Sequence, residues 1–283
     1  GPGNTVLCPA ISYLATAESI KRTGATIQFV DVDENGLMGD IPIMGLPSAV
    51  VYVNLFGNLA DYDRLKNYCD KHRIPLIEDA AQSLGSFYKK IPSGKLGDIS
   101  SLSFAPSKPL PCFGNGGMVL TDSESERDFV RSLRYHGSGT AKLHHGYNSC
   151  LSNDHANVLN FLMSKYKKLL SKTKKVRNLY DEKLFKLGIG SIQTQSDTIS
   201  NNHKFVIKAQ DRDNLKAYLD SKGIQTQIHY VSPLSRMKMF YSDEQMPNAV
   251  RFCENVLSLP IHPFLQDYEV IYVCNCIGEF YGI

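Results

Sequence analysis

The sequence contains no tryptophan, carries almost no net charge for its length and has no long apolar run. Its 31 Lys and Arg residues exceed its 28 Asp and Glu residues by only three, which gives no electrostatic footprint for a nucleic acid. No apolar stretch approaches the roughly 18 to 20 residues that a membrane-spanning helix needs. We therefore expect neither a nucleic-acid partner nor a membrane partner.

The seven cysteines are scattered, and no CxxC pair occurs among them. An odd number without paired spacing argues against a disulfide framework and against a zinc site. His144, His145, Asp154 and His155 lie near one another in the sequence but lack the spacing of a metal site. We expect free, mostly buried thiols, a reducing cytoplasmic compartment and no metal.

The first two thirds of the chain alternate short apolar runs with stretches of helical spacing. This alternation is typical of an α/β fold, in which crossover helices connect the strands of a parallel sheet. The predicted strands are Ala25–Asp31, Ala49–Asn54, Ile74–Glu78, Ile99–Phe104 and Gly117–Leu120, and a helix is predicted over Leu59–Arg73.

A long amphipathic helix is predicted over Asn153–Leu187, and the character of the sequence changes after it. The polar face of this helix is rich in lysine and includes Arg177. A nucleic-acid stripe is one interpretation, but a solvated outer face is favoured because no aromatic residues are interleaved with the charges.

The remaining predicted elements are a strand over Lys204–Lys208, a helix over Asp211–Lys222, a strand over Ile224–Tyr230 and a last helix from about Pro247 to Leu257. We expect a large domain over residues 3–187 and a smaller one over residues 188–283.

Two segments carry residues capable of catalysis or ligand binding. In IPLIEDAAQSLG a buried strand ends in Glu78 and Asp79, at the kind of strand end where open α/β sheets bind ligands. A plain helix cap or turn would give the same pattern. In LSFAPSKPLPCFGNGG, Lys108 has apolar neighbours, and burial there would lower its pKa and free the amine as a nucleophile. A surface lysine in a loop is the alternative.

Together, an aspartate and a nucleophilic lysine are the two groups that a pyridoxal phosphate site needs. The carboxylate keeps the pyridine nitrogen protonated, and the lysine holds the aldehyde as a Schiff base and moves protons.

The sequence resembles the DegT/DnrJ/EryC1/StrS sugar aminotransferases, which are pyridoxal phosphate enzymes of fold type I. The matching segments include PAISYLATAESIKRTGATIQFVDVD, IEDAAQSLGS, GDISSLSF, GGMVLTD and GYNS, in the family's order from about residue 4 to residue 275. The resemblance implies a mostly parallel sheet flanked by helices, followed by a smaller C-terminal α/β domain.

The resemblance also implies roles for individual residues. Lys108 would bind the cofactor and transfer protons, Asp79 would pair with the pyridine nitrogen, and Gln82 would bond the ring hydroxyl. Tyr13 would stack on the cofactor ring, although a core aromatic is its alternative, and Ser103 would bind the phosphate.

Asn148 matches a residue that reaches the phosphate of the neighbouring subunit, which implies a homodimer with shared active sites. The implied reaction moves an amino group from glutamate or glutamine to a nucleotide-linked keto sugar, whose products usually enter surface polysaccharides or glycosylated metabolites. A dehydrating branch of the family has histidine at the position of Lys108, so the lysine favours transamination.

Three positions carry residues unusual for the family, namely Asn115, Cys150 in place of a common arginine, and Ser235. Members of the family have several tens of residues before the segment that aligns with Asn4–Pro9, including a Gly-Thr turn that cradles the phosphate. We expect a chain shortened at this end. A non-catalytic relative that acts as a binding or assembly module, and half of a split enzyme, are therefore alternatives to an aminotransferase.

Overall fold

The computed structural model describes residues 1–42, 45–138 and 145–283. His144 therefore lies outside the described residues. The strands are β1 (Thr5–Pro9), β2 (Thr26–Val30), β3 (Ala49–Val53), β4 (Leu76–Asp79), β5 (Phe87–Tyr88), β6 (Ile91–Pro92), β7 (Ile99–Ser103), β8 (Gly117–Thr121), β9 (Thr198–Ile199), β10 (Phe205–Lys208) and β11 (Val256–Leu259).

The helices alternate with these strands in the first part of the chain and predominate later. They are α1 (Leu14–Arg22), α2 (Tyr62–His72), α3 (Glu124–Leu133), α4 (Asn153–Lys186), α5 (Arg212–Ser221), α6 (Pro247–Asn255) and α7 (Asp267–Tyr281). Short 3-10 turns occur at Leu55–Gly57 and Leu234–Arg236.

The central sheet has six strands in the order β2-β1-β3-β4-β7-β8. All neighbouring pairs from β2 to β7 are parallel, and only β8 runs antiparallel to its neighbour β7. The predicted α/β class with a mostly parallel sheet is therefore confirmed. Because parallel strands end at the same edge, the segments that follow β3, β4 and β7 come together there.

Burial explains why β3 could be predicted, whereas β1 was not predicted. All five residues of β3 are buried, since a parallel strand has helices on both faces and forms a continuous apolar run. The residues of β8, by contrast, are exposed or only partly buried. Two smaller antiparallel sheets, β10-β11 and β6-β5-β9, complete the strand pairing.

Two predictions for the C-terminal part were wrong. The segment Ile224–Tyr230 is not a strand, and only Gln227 forms an isolated bridge, with Ser258. The helix that begins at Pro247 ends at Asn255, since Val256 and Leu257 belong to β11. It is not the last helix either, because α7 follows it.

The lysine-rich face of α4 is exposed, with one exception. Arg177 was predicted on this face but is buried, where its Nε donates to Asp181 Oδ2 at 2.6 Å. Its Nη2 donates to the backbone oxygen of Ile192 at 3.0 Å. Buried arginines need such partners, so Arg177 joins α4 to the chain that follows it.

Two larger apolar clusters organise the core. The first surrounds β1 to β4 and includes residues from much later in the chain, such as Leu234, Phe240 and Phe252. The second joins Val176 and Tyr180 of α4 to residues of α5, α7, β10 and β11. The division of the chain at residue 187 stays a prediction.

Other features of the described residues concern thiols, metals and membranes. All seven cysteines are free, and six of them are buried, as expected. Within residues 1–42, 45–138 and 145–283, no group of three or more potential metal ligands occurs. None of the helices in these ranges combines the length and the apolarity that crossing a membrane requires.

Candidate active site

The two carboxylates at the end of β4 point to opposite sides of the sheet, as adjacent strand residues do. Glu78 is completely buried, and its two oxygens accept hydrogen bonds of 2.6–3.1 Å from five groups. The donors are Asn54 Nδ2, Ser93 Oγ, Ser100 Oγ and the backbone amides of Gly94 and Leu96. This carboxylate is an anchor for the chain around it.

Asp79 lies on the other side, against the start of α1. Its Oδ2 accepts a hydrogen bond of 2.8 Å from Thr16 Oγ1, and its Oδ1 accepts one of 3.1 Å from the backbone amide of Ala81. Thr16 in turn lies 2.7 Å from the hydroxyl of Ser12. Since Thr16 donates its proton to Asp79, Ser12 donates to Thr16. This relay of hydroxyls fixes the orientation of the Asp79 carboxylate.

Lys108 lies in the loop between β7 and β8 and is partly buried. Burial lowers the pKa of its amine, while the negative charge of Asp79 opposes that shift. Its Nζ lies 5.9 Å from the ring centroid of Tyr13, a side chain that is 54% exposed. The structure therefore brings Lys108, Asp79 and Tyr13 together, and Tyr13 is not a core aromatic.

Gln82 is buried beside these residues, and both the oxygen and the nitrogen of its amide form hydrogen bonds. Its Oε1 accepts from the backbone amide of Phe56 at 2.9 Å, and its Nε2 donates to Tyr230 Oη at 3.2 Å. Burial raises the pKa of Tyr230 to about 12, so this hydroxyl stays protonated at neutral pH. The second hydrogen of Nε2 is left to donate elsewhere.

Ser103 and Asn148 occupy different settings. Ser103 ends β7, and its Oγ accepts a hydrogen bond of 3.4 Å from the backbone amide of Ala105. Asn148 is exposed and forms an isolated bridge with Tyr135, just beyond α3. It makes none of the contacts that join the other predicted residues.

A second group of residues at this site was missed from the sequence. The partly buried side chains of His203, Lys204 and His229 interact electrostatically with one another and with Lys108. Burial and the two nearby lysines lower the pKa of His229 to about 4, so its imidazole is neutral at neutral pH. His229 Nδ1 lies 2.8 Å from Ser258 Oγ.

The signals for the missed residues differ in strength. Ser12 and Thr16 are four residues apart, as hydroxyls on one helix face would be, and this spacing could have suggested a shared role. Lys204 and His229 lie more than a hundred residues beyond Asp79 in the chain. Only the folded topology brings them to this edge of the sheet.

The family model described as the DegT/DnrJ/EryC1/StrS aminotransferase family matches residues 1–278. The chain belongs to this family. Its members are enzymes that depend on pyridoxal phosphate, and the fold seen in this chain is theirs.

Individual relatives support the assignment. The chain is 34% identical to a UDP-N-acetyl-3-dehydro-alpha-D-glucosamine 3-aminotransferase of Acidithiobacillus ferrooxidans, over 98% of this chain and 78% of that protein. It is 31% identical to a UDP-2-acetamido-2-deoxy-3-oxo-D-glucuronate aminotransferase of Pseudomonas aeruginosa, over 98% and 79%. The solved PLP form of Spr1654 from Streptococcus pneumoniae superimposes with a TM-score of 0.88 and 26% identity, covering 97% of this chain and 80% of that one.

The donor set at the site fits this cofactor. A carboxylate, an aromatic ring and a lysine with a lowered pKa converge at the strand ends. The carboxylate suits a protonated pyridine nitrogen, the ring offers a stacking surface, and the amine suits an aldehyde.

Proposed function

We propose that this chain is a pyridoxal phosphate-dependent aminotransferase that moves an amino group from glutamate or glutamine to a nucleotide-linked keto sugar. The observation that carries the proposal is the partly buried Lys108 amine, with its lowered pKa, beside the Asp79 carboxylate and the Tyr13 ring. The names of the relatives support the sugar half of the reaction, since both act on UDP-linked oxo sugars.

Three residues would carry the chemistry at the reacting end. When bound, the cofactor supplies an aldehyde that condenses with amines and a ring that withdraws electrons. The lowered pKa of Lys108 makes its amine available as a nucleophile and as a proton carrier. Asp79, oriented by Thr16, would accept the ring N–H, and Tyr13 would cover one face of the ring.

Two further residues would hold the cofactor's polar groups. Gln82 has one amide hydrogen left after its bond to Tyr230, and that hydrogen would donate to the ring hydroxyl. Ser103 accepts from Ala105 with its oxygen, which leaves its own proton to donate to the phosphate. Both side chains therefore keep a hydrogen to donate to an acceptor in the site.

Asn148 would serve the phosphate of a neighbouring subunit, so we include in the proposal a homodimer with shared sites. The exposure of Asn148 supports this role, because an exposed amide is available to a second chain. A cytoplasmic location and a division into domains of residues 3–187 and 188–283 also belong to the proposal.

The test follows the amino group through both half-reactions. The full chain is loaded with pyridoxal phosphate and freed of excess cofactor, and the visible absorbance of the lysine-bound cofactor is recorded. L-glutamate should remove this absorbance, and a UDP-linked 3-oxo sugar should restore it while an amino sugar forms. Lys108→Met should show neither change, whereas Lys167→Met, on the exposed face of α4, should behave as the wild type.

Bound cofactor that does not respond to glutamate or glutamine would contradict the proposal and favour a non-catalytic binding module. Failure to bind the cofactor at all would contradict it as well.

A further inference from the structure

The basic cluster around Lys204 contains more positive than negative groups. No described residue forms an ion pair with the Lys204 ammonium, nor does any accept a hydrogen bond from it. By comparison, Lys208, four residues further along the chain and at the end of β10, pairs with Glu34 at 2.9 Å. Among the described residues, Lys108 is the charged group that acts on Lys204, and no acidic group does so. Lys204 and Lys108 in turn act on His203 and His229.

We propose that Lys204 binds a carboxylate group of a substrate next to Lys108. The inference rests on the proposed function and adds to it a binding residue for one chemical class of group. A partly buried ammonium without a counter-ion is unfavourable, so a site of this kind gains more from a bound anion than an exposed lysine does.

The position of Lys204 is fixed by Phe56, which connects it to Gln82. The backbone amide of Lys204 donates to the oxygen of Phe56 at 3.3 Å, and the amide of Phe56 donates to Gln82 Oε1 at 2.9 Å. The backbone of Phe56 adopts the left-handed conformation here, with a φ of 61°. The backbone of Lys204 is therefore tied to the segment that holds Gln82, and its side chain is partly buried.

The order of the strands separates Lys204 from Ser103. Phe56 follows β3 and Ser103 ends β7, and these strands lie on opposite sides of β4, which ends in Asp79. Ser103 is the residue proposed for the cofactor phosphate. Lys204, on the opposite side, is available to a substrate.

A carboxylate suits this position better than the diphosphate of the sugar nucleotide. In an amino acid the carboxylate is bonded to the carbon that carries the amino group, so it must lie close to the reacting amine of Lys108. The diphosphate is attached to the sugar several bonds from a 3-oxo carbon. The carboxylate could belong to the amino donor or to a uronate sugar, and the experiment separates these sources.

The experiment uses the full, cofactor-treated chain and measures binding by calorimetry. The first probe is maleate, a dicarboxylate without an amino group. The second is the pair UDP-glucuronate and UDP-glucose, which differ by one carboxylate. Lys204→Met should weaken maleate binding by about tenfold or more, or should reduce the preference for UDP-glucuronate over UDP-glucose by a similar factor.

Two further variants give the control and the rescue. Lys204→Arg keeps the charge and should restore most of the affinity. Lys208→Met, at the far end of the adjoining strand β10, should leave the affinity unchanged. Loss of maleate binding alone assigns the carboxylate to the amino donor, and loss of the UDP-glucuronate preference alone assigns it to the sugar.

The inference is overturned if Lys204→Met changes neither the affinity for maleate nor the preference for UDP-glucuronate over UDP-glucose. It is also overturned if the wild type does not bind maleate and does not prefer UDP-glucuronate. Because calorimetry does not depend on the cofactor's absorbance, these outcomes differ from failure of the proposed function. That failure would appear as wild-type protein whose bound cofactor does not respond to amino donors.

Discussion

Glu78 and Asp79 are neighbours in the sequence, yet they occupy opposite kinds of environment. Behind the sheet, Glu78 is fully buried and receives hydrogen bonds from five groups. In front of it, Asp79 is partly buried and, among the residues that the structure describes, accepts only from Thr16 and Ala81. The front also holds Lys108, whose pKa is lowered by burial.

The difference shows how to separate a structural carboxylate from a chemical one. A buried carboxylate whose acceptor sites are filled by its own chain contributes stability and has no capacity left for a ligand. A carboxylate that is oriented by two donors and keeps free lone pairs can accept a third donor from a ligand. We expect substitutions at the two positions to affect different measurements.

The largest effect should come from Asp79→Asn. The amide oxygen can still accept from Ala81, and the NH2 group can donate to Thr16 Oγ1 once Thr16 donates to Ser12 instead. A neutral amide, however, lacks the charge that keeps the ring nitrogen protonated. Turnover should fall by about 10²- to 10³-fold, while the free energy of unfolding changes by less than about 1 kcal/mol. Steady-state kinetics and urea unfolding measure the two quantities on the same samples.

Turnover within a few-fold of the wild type would contradict the role of Asp79. If Asp79→Asn also lowered the free energy of unfolding by a large amount, Asp79 would be a structural carboxylate like Glu78.

The opposite pattern is expected for Glu78→Gln. The new NH2 group would face the backbone amides of Gly94 or Leu96, which cannot turn away, so buried donors would lose their acceptor. The free energy of unfolding should fall by about 2–4 kcal/mol. Residual folded protein should still bind the cofactor at Lys108.

A matched control is Glu124→Gln, at the exposed start of α3, where the side chain is 85% exposed. Its free energy of unfolding should stay within about 0.5 kcal/mol of the wild type. If Glu78→Gln were as mild as this control, the anchoring role of Glu78 would be wrong.

Short apolar runs in the sequence predicted most strands of the central sheet. The strands β2, β3, β4 and β7 were predicted from short apolar runs, which burial on both faces explains fully only for β3. The partly exposed strand β8 was predicted as well, whereas the parallel strand β1 was not. Helix α3 was not predicted, although Phe129, Val130 and Leu133 give it apolar residues at helical spacing; none of its residues is buried. The segment Ile224–Tyr230 resembled a strand, but only Gln227 pairs with another strand.

The candidate site was predictable only in part, for a similar reason. Asp79 and Lys108 follow neighbouring parallel strands, so the sheet itself brings them together. Thr16 and Lys204 reach the same place through contacts that no local pattern records. The roles of Asn148 and of the other site residues stay predictions until they are tested.

Whether the cofactor binds to Lys108 can be tested directly by identifying the lysine that it modifies. The full chain is incubated with pyridoxal phosphate and reduced with borohydride, and its peptides are mapped by mass spectrometry. We expect one modified residue, Lys108, and no modification at that peptide in Lys108→Met. A chain without an adduct at Lys108, or with adducts spread over the exposed lysines of α4, would contradict this expectation.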